Sequence, residues 1–551
     1  MRSSAVDNLR RRDRFKYILV VEGVLIGLIT GALISVFRLM LTGADSVRNR
    51  MAEAATGSTG AALIWLAVIL VLTIVITILL EVEPDIAGSG IPQVEAELRG
   101  QKDMNWWRVI TAKMVGCALA IGGGLALGRE GPSIQLGAMV GKGFARTGHR
   151  LLTEERLLVT CGAGAGLSAA FGAPLAGAIF SLEELHRNFS AEVLLSTMAA
   201  SAAADFVAVN VFGFTPVFGF DVDHGLPLRH YWTVIIVGIA VGFFGILYNR
   251  TIAFMQDLFD RIGKISAKVA GSALRRRAFN LTDAHLNAFG DRASKAGRLL
   301  TVFALAYILV FACPEALGSG SFLVGEISHG NFALAGLAAL LLIKFVFSTA
   351  SFGSGSPGGI FLPLLVLGAL TGGLVSRLLG VFGFDQRYIT ALVVIAMAGY
   401  FSAIVRAPVT GVVLITEMTG DFTCLLPLVL SALIAYLIAE AFGAEPIYTQ
   451  LLHRSQKHAP GAGIRSMLIR DRKTIIEAEI HVGSYMDGKS VKDFGLPVGT
   501  LIVSVARDGV EIIPDGHTIL RGGDELEILM RERDVTDAES IIDERCKRVA
   551  E

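Results

Sequence analysis

Long uncharged runs alternate with short glycine- and proline-cut pieces over most of the chain. Residues 61–80 (AALIWLAVILVLTIVITILL) are 20 positions without a charge, enough at about 1.5 Å per residue to cross a hydrocarbon core of about 30 Å. Further apolar stretches cover Tyr17–Leu41, Trp232–Tyr248, Leu299–Cys313, Phe332–Phe347, Phe361–Phe382, Ile389–Val405 and Cys424–Ala441. Several of these, and the pieces between 106 and 184, are short or broken. A broken helix at membrane depth needs neighbouring protein or a water-filled cavity to satisfy its released backbone groups. The pattern predicts an all-α polytopic membrane fold whose interrupted helices surround a transport pathway, over 17–453. Past that point the period changes. Residues 454–463 (RSQKHAPGAG) read as a linker, and 464–551 as a small cytosolic α+β domain. Strands are expected at Thr474–His481, Leu501–Val505, Val510–Ile513 and Glu525–Met530, with Arg507-Asp508-Gly509 as a hairpin turn and Asp534–Glu544 helical.

Composition narrows this picture. Hydrophobic residues make up 53% of the 551 positions and charged residues 18%, and the mean hydropathy is +0.60, too apolar for a soluble domain of this size. Arg10, Arg11, Arg12, Arg14 and Lys16 form a basic segment, 1–16, before the first span, without a signal-peptide pattern. The positive-inside rule predicts a cytoplasmic N-terminus. The five cysteines lack CxxC or Cys/His spacing and read as small buried hydrophobes, so no metal site is expected. No HExxH or GxSxG supports a hydrolase, no TVGYG-like filter supports a potassium pathway, and no nucleic-acid partner is expected.

A two-fold repeat organises the apolar region, about 17–260 against 298–453. Ala173-Pro174-Leu175-Ala176-Gly177 superposes on Ala407-Pro408-Val409-Thr410-Gly411, carrying Ser168 onto Ser402 and Glu183 onto Glu417 at an offset of 234. Gly128, Pro132 and Gly137 superpose on Gly359, Pro363 and Gly368 at 231, and Gly88-Ser89-Gly90 on Gly318-Ser319-Gly320 at 230. Paired breaks in repeated halves predict an inverted repeat with a binding site near the midplane, between the halves. In that arrangement Glu130 and Phe361 are counterparts. Backbone amides released at such breaks suit an anion, and Glu130 adds a carboxylate able to compete for the same place.

Gly88-Ser89-Gly90-Ile91-Pro92, Gly128-Arg129-Glu130-Gly131-Pro132, Gly359-Ile360-Phe361-Leu362-Pro363 and Tyr448 resemble, in order and spacing, the anion-site elements of the CLC chloride channel and transporter family. The resemblance extends to Lys113 and to Phe171–Glu184 (FGAPLAGAIFSLEE) and covers roughly residues 15–455. It implies a chloride/proton antiporter, a secondary active transporter rather than an enzyme, with no cofactor. Its partners would be chloride, protons and the lipid bilayer of a plasma or inner membrane, and its assembly a homodimer. The implied chloride ligands are the hydroxyls of Ser89 and Tyr448 and backbone amides at Ile360, Phe361 and Gly131. Partial charges of this kind bind an anion without trapping it. Glu130 is the implied outer gate and proton acceptor, Glu184 the inner proton acid, Glu183 a structural or water-route acid, and Lys113 a source of positive potential. A hydroxyl at Ser89, where nitrate-preferring members tend to carry proline, implies chloride over nitrate. The alternative is a passive voltage- or ligand-gated chloride channel of the same architecture.

The C-terminal segment is similar, through Gly488–Phe494 (GKSVKDF) and Leu520–Asp524 (LRGGD), to the C-terminal lobe of the domains that regulate potassium conductance (RCK_C, or TrkA-C). This resemblance implies a regulatory module with a cytosolic ligand such as cyclic di-AMP. A ligand-free dimerisation module is the other reading.

Overall fold

The computed structural model describes residues 2–186, 191–214, 216–218, 225–277, 283–457, 473–496, 499–507, 510–531, 541–542 and 545–546. The chain divides into two compact units, Met1–Leu452 and His453–Glu551.

Seventeen α-helices occupy the described part of the first unit and its end. Two long helices open it, α1 (Arg2–Gly57) and α2 (Thr59–Val82). A series of shorter pieces follows: α3 (Ile91–Leu98), α4 (Trp106–Gly122), α5 (Glu130–Thr147), α6 (Leu152–Phe171), α7 (Pro174–Phe180) and α8 (Ala191–Phe212). The order then repeats. Two long helices, α9 (Trp232–Arg277) and α10 (Asp283–Ala312), precede α11 (Ser321–Ser328), α12 (Leu334–Gly353), α13 (Phe361–Val381), α14 (Ile389–Val405), α15 (Pro408–Thr419) and α16 (Leu425–Ala441). A last helix, α17, spans Ile447–Lys457. It runs four residues into the stretch read as linker, whose remainder lies outside the described residues.

Among the described residues, eight helices are long and apolar enough to cross a membrane. Burial separates rim from centre. The most apolar window of Thr59–Val82 is 33% buried, with Leu63, Ile64, Val71 and Ile74 exposed, whereas that of Gln386–Val405 is 94% buried. An exposed face of aliphatic side chains suits lipid. The centre is held by small residues at close helix crossings: at Gly137 on α5 and Gly162 on α6 a side chain would strike the other glycine's carbonyl oxygen.

The contacts of the two halves are reciprocal, as an axis exchanging them requires. Glu183 accepts from Thr410 N (2.8 Å) and Val409 N (3.3 Å) at the start of α15, and Glu417 accepts from Ala176 N (2.8 Å) and Leu175 N (3.0 Å) at the start of α7. Each carboxylate caps the other half's helix, satisfying amides that lack intrahelical partners. Ser168 Oγ donates to Ser201 O (2.7 Å) and Ser402 Oγ to Ala432 O (2.8 Å). The fold is thus a polytopic helical protein with an inverted repeat and interrupted helices.

Among its described residues the second unit holds an antiparallel sheet of four strands, β1 (Lys473–Glu479), β2 (Leu501–Arg507), β3 (Val510–Ile512) and β4 (Glu525–Arg531), in the order β1-β4-β2-β3. Alternation sends Leu526, Ile528 and Met530 of β4 into a core with Ile480, Met486, Phe494, Ile502, Val505 and Leu520. The two segments behind the TrkA-C resemblance lie side by side: Gly488 N donates to Leu520 O (2.9 Å) and Leu520 N to Lys489 O (2.9 Å). Asp524 holds Arg507 through two bonds of 2.7 and 2.6 Å. The turn residues Asp508 and Gly509 and most of Asp534–Glu544 lie outside the described residues; Ile541–Ile542 and Arg545–Cys546 are helical.

Candidate functional site

Three glycine-rich breaks meet through their backbones. Gly128 N donates to Gly359 O (2.6 Å) and Gly359 N to Gly128 O (2.8 Å), a two-bond bridge joining the loops before α5 and α13. Gly358 N donates to Gly88 O (3.0 Å), which brings in the loop before α3. Glycine is needed for this. Gly88 and Gly90 sit at φ of 63° and 95°, where a side chain is strained. At Gly131 a Cβ would stand 2.8 Å from the Ser89 carbonyl oxygen, so only glycine lets α5 start against that loop.

Around this junction lie the residues expected from the sequence. Ser89 is buried, and its Oγ accepts from Ile91 N (3.2 Å). That bond uses a lone pair and leaves the hydroxyl proton to donate elsewhere. Ile360 is the N-cap of α13 and Phe361 its first residue, so their amides belong to the set that helix geometry leaves without carbonyl partners. The Phe361 ring packs among Phe401 (4.8 Å between centroids), Phe171 (5.5 Å) and Phe180 (6.4 Å), walling the junction with apolar surface. Tyr448, second residue of α17, is fully buried, and among the described residues its hydroxyl has no hydrogen-bond partner.

Glu130, first residue of α5, is fully buried. Its Oε2 accepts from Leu362 N at 3.4 Å, and the backbone amides of Arg129 and of Glu130 itself also face the carboxylate. The carboxylate of one half is therefore seated on the first turn of the other half's helix, a place whose amides and dipole suit any anion. Beside it a cavity of about 370 Å³ is lined by Arg38, Asp45, Arg129, Asp205, Ser319 and Leu362, among others.

Glu184 is buried on a π-helical turn, Ser181–His186, that continues α7. The sequence suggests an ordinary helix here; the wider π-turn changes the angle between the neighbouring acids, and such turns recur at functional positions. Glu183 is engaged in capping α15, with Thr410 Oγ1 adding a bond of 2.7 Å. Glu184 and Glu130 are both electrostatic neighbours of the Tyr448 phenol.

Lys113 is fully buried and donates to Ile86 O (2.8 Å) and Gly88 O (2.7 Å), pinning the loop that carries Ser89. The repeat supplies a second such lysine that the sequence reasoning missed. Lys344 on α12 donates to Ala316 O (2.8 Å) and Gly318 O (2.7 Å). The available signal was its offset of 231 from Lys113, within one apolar run.

A family model described as voltage gated chloride channel matches residues 71–440, and a TrkA-C domain model matches residues 475–543. The chain therefore belongs to the voltage gated chloride channel (CLC) family, a family of membrane transport proteins rather than enzymes, and carries a C-terminal TrkA-C domain. Among curated relatives, the H(+)/Cl(-) exchange transporter ClcA of Vibrio cholerae serotype O1 (strain M66-2) is 32% identical over 477 residues, covering 83% of this chain and 94% of that protein. The protein of the same name from Citrobacter koseri (strain ATCC BAA-895 / CDC 4225-83 / SGSC4696) is 29% identical over 466 residues, covering 82% and 92%. Among solved structures, a slow cyanobacterial Cl-/H+ antiporter superposes with a TM-score of 0.70 at 27% identity, over 79% of this chain and 97% of that one. A eukaryotic CLC transporter shares the fold, with a TM-score of 0.62 at 21% identity, over 87% of this chain and 80% of that one.

Proposed function

We propose that this protein is a chloride/proton antiporter whose coupling element is Glu130. The observation that carries the reading is the Glu130 carboxylate seated on the Leu362 amide at the start of α13. Ionised, it occupies an anion's place; protonated, it loses the charge that holds it there and yields to chloride. One group thereby binds proton and anion in alternation. In this reading Ser89, Ile360, Phe361, Tyr448 and Gly131 form the chloride site through hydroxyls and helix-start amides. Lys113 adds positive potential while fixing the Ser89 loop. Glu184 delivers protons from the inner side and Glu183 holds α15. The relatives named as H(+)/Cl(-) exchange transporters support the same assignment.

The protein acts as a homodimer in a plasma or inner membrane with both termini cytoplasmic, and its TrkA-C domain adjusts transport in response to a cytosolic ligand such as cyclic di-AMP. Glu479, Glu511, Glu525 and Glu527 line one cleft of that domain. A dianionic nucleotide is repelled there and has to bind another face.

The test is proton movement in liposomes with chloride concentrated inside and the potential clamped near zero by potassium and valinomycin. Exchange draws protons inward as chloride leaves, so the external medium turns alkaline and a protonophore collapses the difference. Chloride efflux without proton movement would instead identify a passive channel.

A further inference from the structure

Three tyrosines from three helices crowd one buried region, and two of them have no part in the chloride site described above. Tyr248 on α9, Tyr400 on α14 and Tyr448 on α17 are each fully buried; among the described residues the hydroxyls of Tyr400 and Tyr448 have no hydrogen-bond partner, and that of Tyr248 lies within reach of the Ser348 side chain. The helices are tied together at this level by Asn249, whose Nδ2 donates to Ile404 O (3.3 Å) and Glu445 O (3.2 Å). Tyr248 adjoins that asparagine in sequence, Tyr400 lies one turn before Ile404, and Tyr448 follows Glu445 by three residues. The Tyr248 ring packs against Tyr400 at 6.1 Å between centroids and edge-on to Phe345 at 5.7 Å. Tyr248 is also an electrostatic neighbour of both other phenols.

A buried hydroxyl without a partner is costly, and phenylalanine would fill the same space without that cost. Two such hydroxyls beside a third phenol are explained by an occupant they share. Their chemistry defines it. Phenolic O–H groups offer donors around an acceptor, the carboxylates Glu130 and Glu184 stand at the Tyr448 end of the cluster, and the aromatic rings exclude bulk water. This suits a small, singly charged anion that has shed its hydration, as the Tyr448 site itself does.

We infer that Tyr248 and Tyr400, together with Tyr448, form a second halide subsite, contiguous with the chloride site at Tyr448. The inference rests on the reading of Tyr448 as a chloride ligand and adds two residues to it. The subsite gives an anion a resting place beside the Glu130–Tyr448 site, so that two ions share one pathway and repulsion between them speeds release.

Bromide identifies the occupant. Crystals of the full chain grown in bromide are expected to show an anomalous peak within hydrogen-bond distance of the Tyr248 and Tyr400 hydroxyls, separate from any peak at Ser89. Tyr248→Phe and Tyr400→Phe keep the ring packing, and each is expected to weaken this second bromide by about 2- to 10-fold, as loss of one donor implies; the double variant should abolish the peak. Density without anomalous signal means that water fills the region, and overturns the inference. So does an anomalous peak that survives in the double variant. Liposome exchange by the same preparations separates the two readings: exchange without a second bromide overturns the subsite alone, whereas two bromides without proton movement overturn the antiporter and leave the subsite standing.

Discussion

The two halves of the membrane unit share a scaffold and differ in their acids. Lys113 and Lys344 each pin the carbonyls of a short loop. Glu183 and Glu417 each cap a helix of the opposite half. Gly128 and Gly359 pair with each other. These duplicated groups fix the breaks in position. The unduplicated ones are Glu130, which faces Phe361 at the offset of 231, and Glu184, which faces Met418 at 234. Both counterparts are fully buried apolar side chains. A repeat that preserves its caps and clamps in both copies, yet keeps these two further acids in only one, is what the proposed division between holding the fold and moving a proton requires. It also sorts the adjacent pair Glu183 and Glu184: the member with a duplicate is the cap.

The largest effect is expected at Glu130. Glu130→Gln removes the titration and the negative charge while keeping the shape, so proton flux should vanish while chloride still crosses. Paired pH and chloride recordings in liposomes check this, and retained coupling would place the gate elsewhere. Next comes Glu184→Met, which makes the inner position match its counterpart. Proton flux should fall by about 100-fold, the scale of losing a positioned proton-transfer group, with chloride flux persisting. Unchanged proton flux in that variant would break the contrast between duplicated and unduplicated acids.

Much of the scaffold was legible beforehand because it is local. Glycine and proline mark helix breaks wherever they fall, uncharged runs mark spans, and period-two alternation marked the strands near 475, 501, 510 and 525. The order of the halves was legible because the breaks recur at nearly constant offsets. What escaped depends on contacts between distant residues. Nothing near Glu183 announces that its carboxylate ends on amides 226 and 227 positions away. A single lysine in an apolar run, such as Lys344, resembles a side chain reaching for the interface until the carbonyls of Ala316 and Gly318 are seen around it. The π-turn at 181–186 has no composition of its own. Tyr248 and Tyr400 look like ordinary core aromatics, since a sequence does not show which phenols gather in one buried region. Of the candidate site, the residues were legible from motif resemblance; the seating of Glu130 on α13 was not.

The caps offer a sharper comparison, with a smaller effect. Glu183→Ala and Glu417→Ala each strand two amides at the start of a helix, and each should lower stability by about 1–3 kcal/mol. Thermal unfolding in detergent, followed by tryptophan fluorescence, should show similar losses for the two. Proton flux per folded molecule should survive both. If Glu183→Ala alone stops proton flux at unchanged stability, the cap is also a carrier and the duplication argument fails for that pair.

The smallest difference is expected between the lysines, where scaffold and function overlap in one residue. Replacing either by methionine leaves two buried carbonyls without their donor, so Lys113→Met and Lys344→Met should cost similar stability, about 1–3 kcal/mol. Their charges, however, stand in different places. Lys113 holds Gly88, next to Ser89, and its loss should weaken chloride binding by about 3- to 10-fold through reduced local potential. Lys344 holds Gly318, next to Ser319, in the half whose loop is not assigned to the chloride site. Chloride titration calorimetry on the two variants reads this directly. Equal weakening in both would mean that the second loop also feels the anion, and the line between shared scaffold and single site would have to be redrawn to include Ser319 and its neighbours in the cavity beside Glu130.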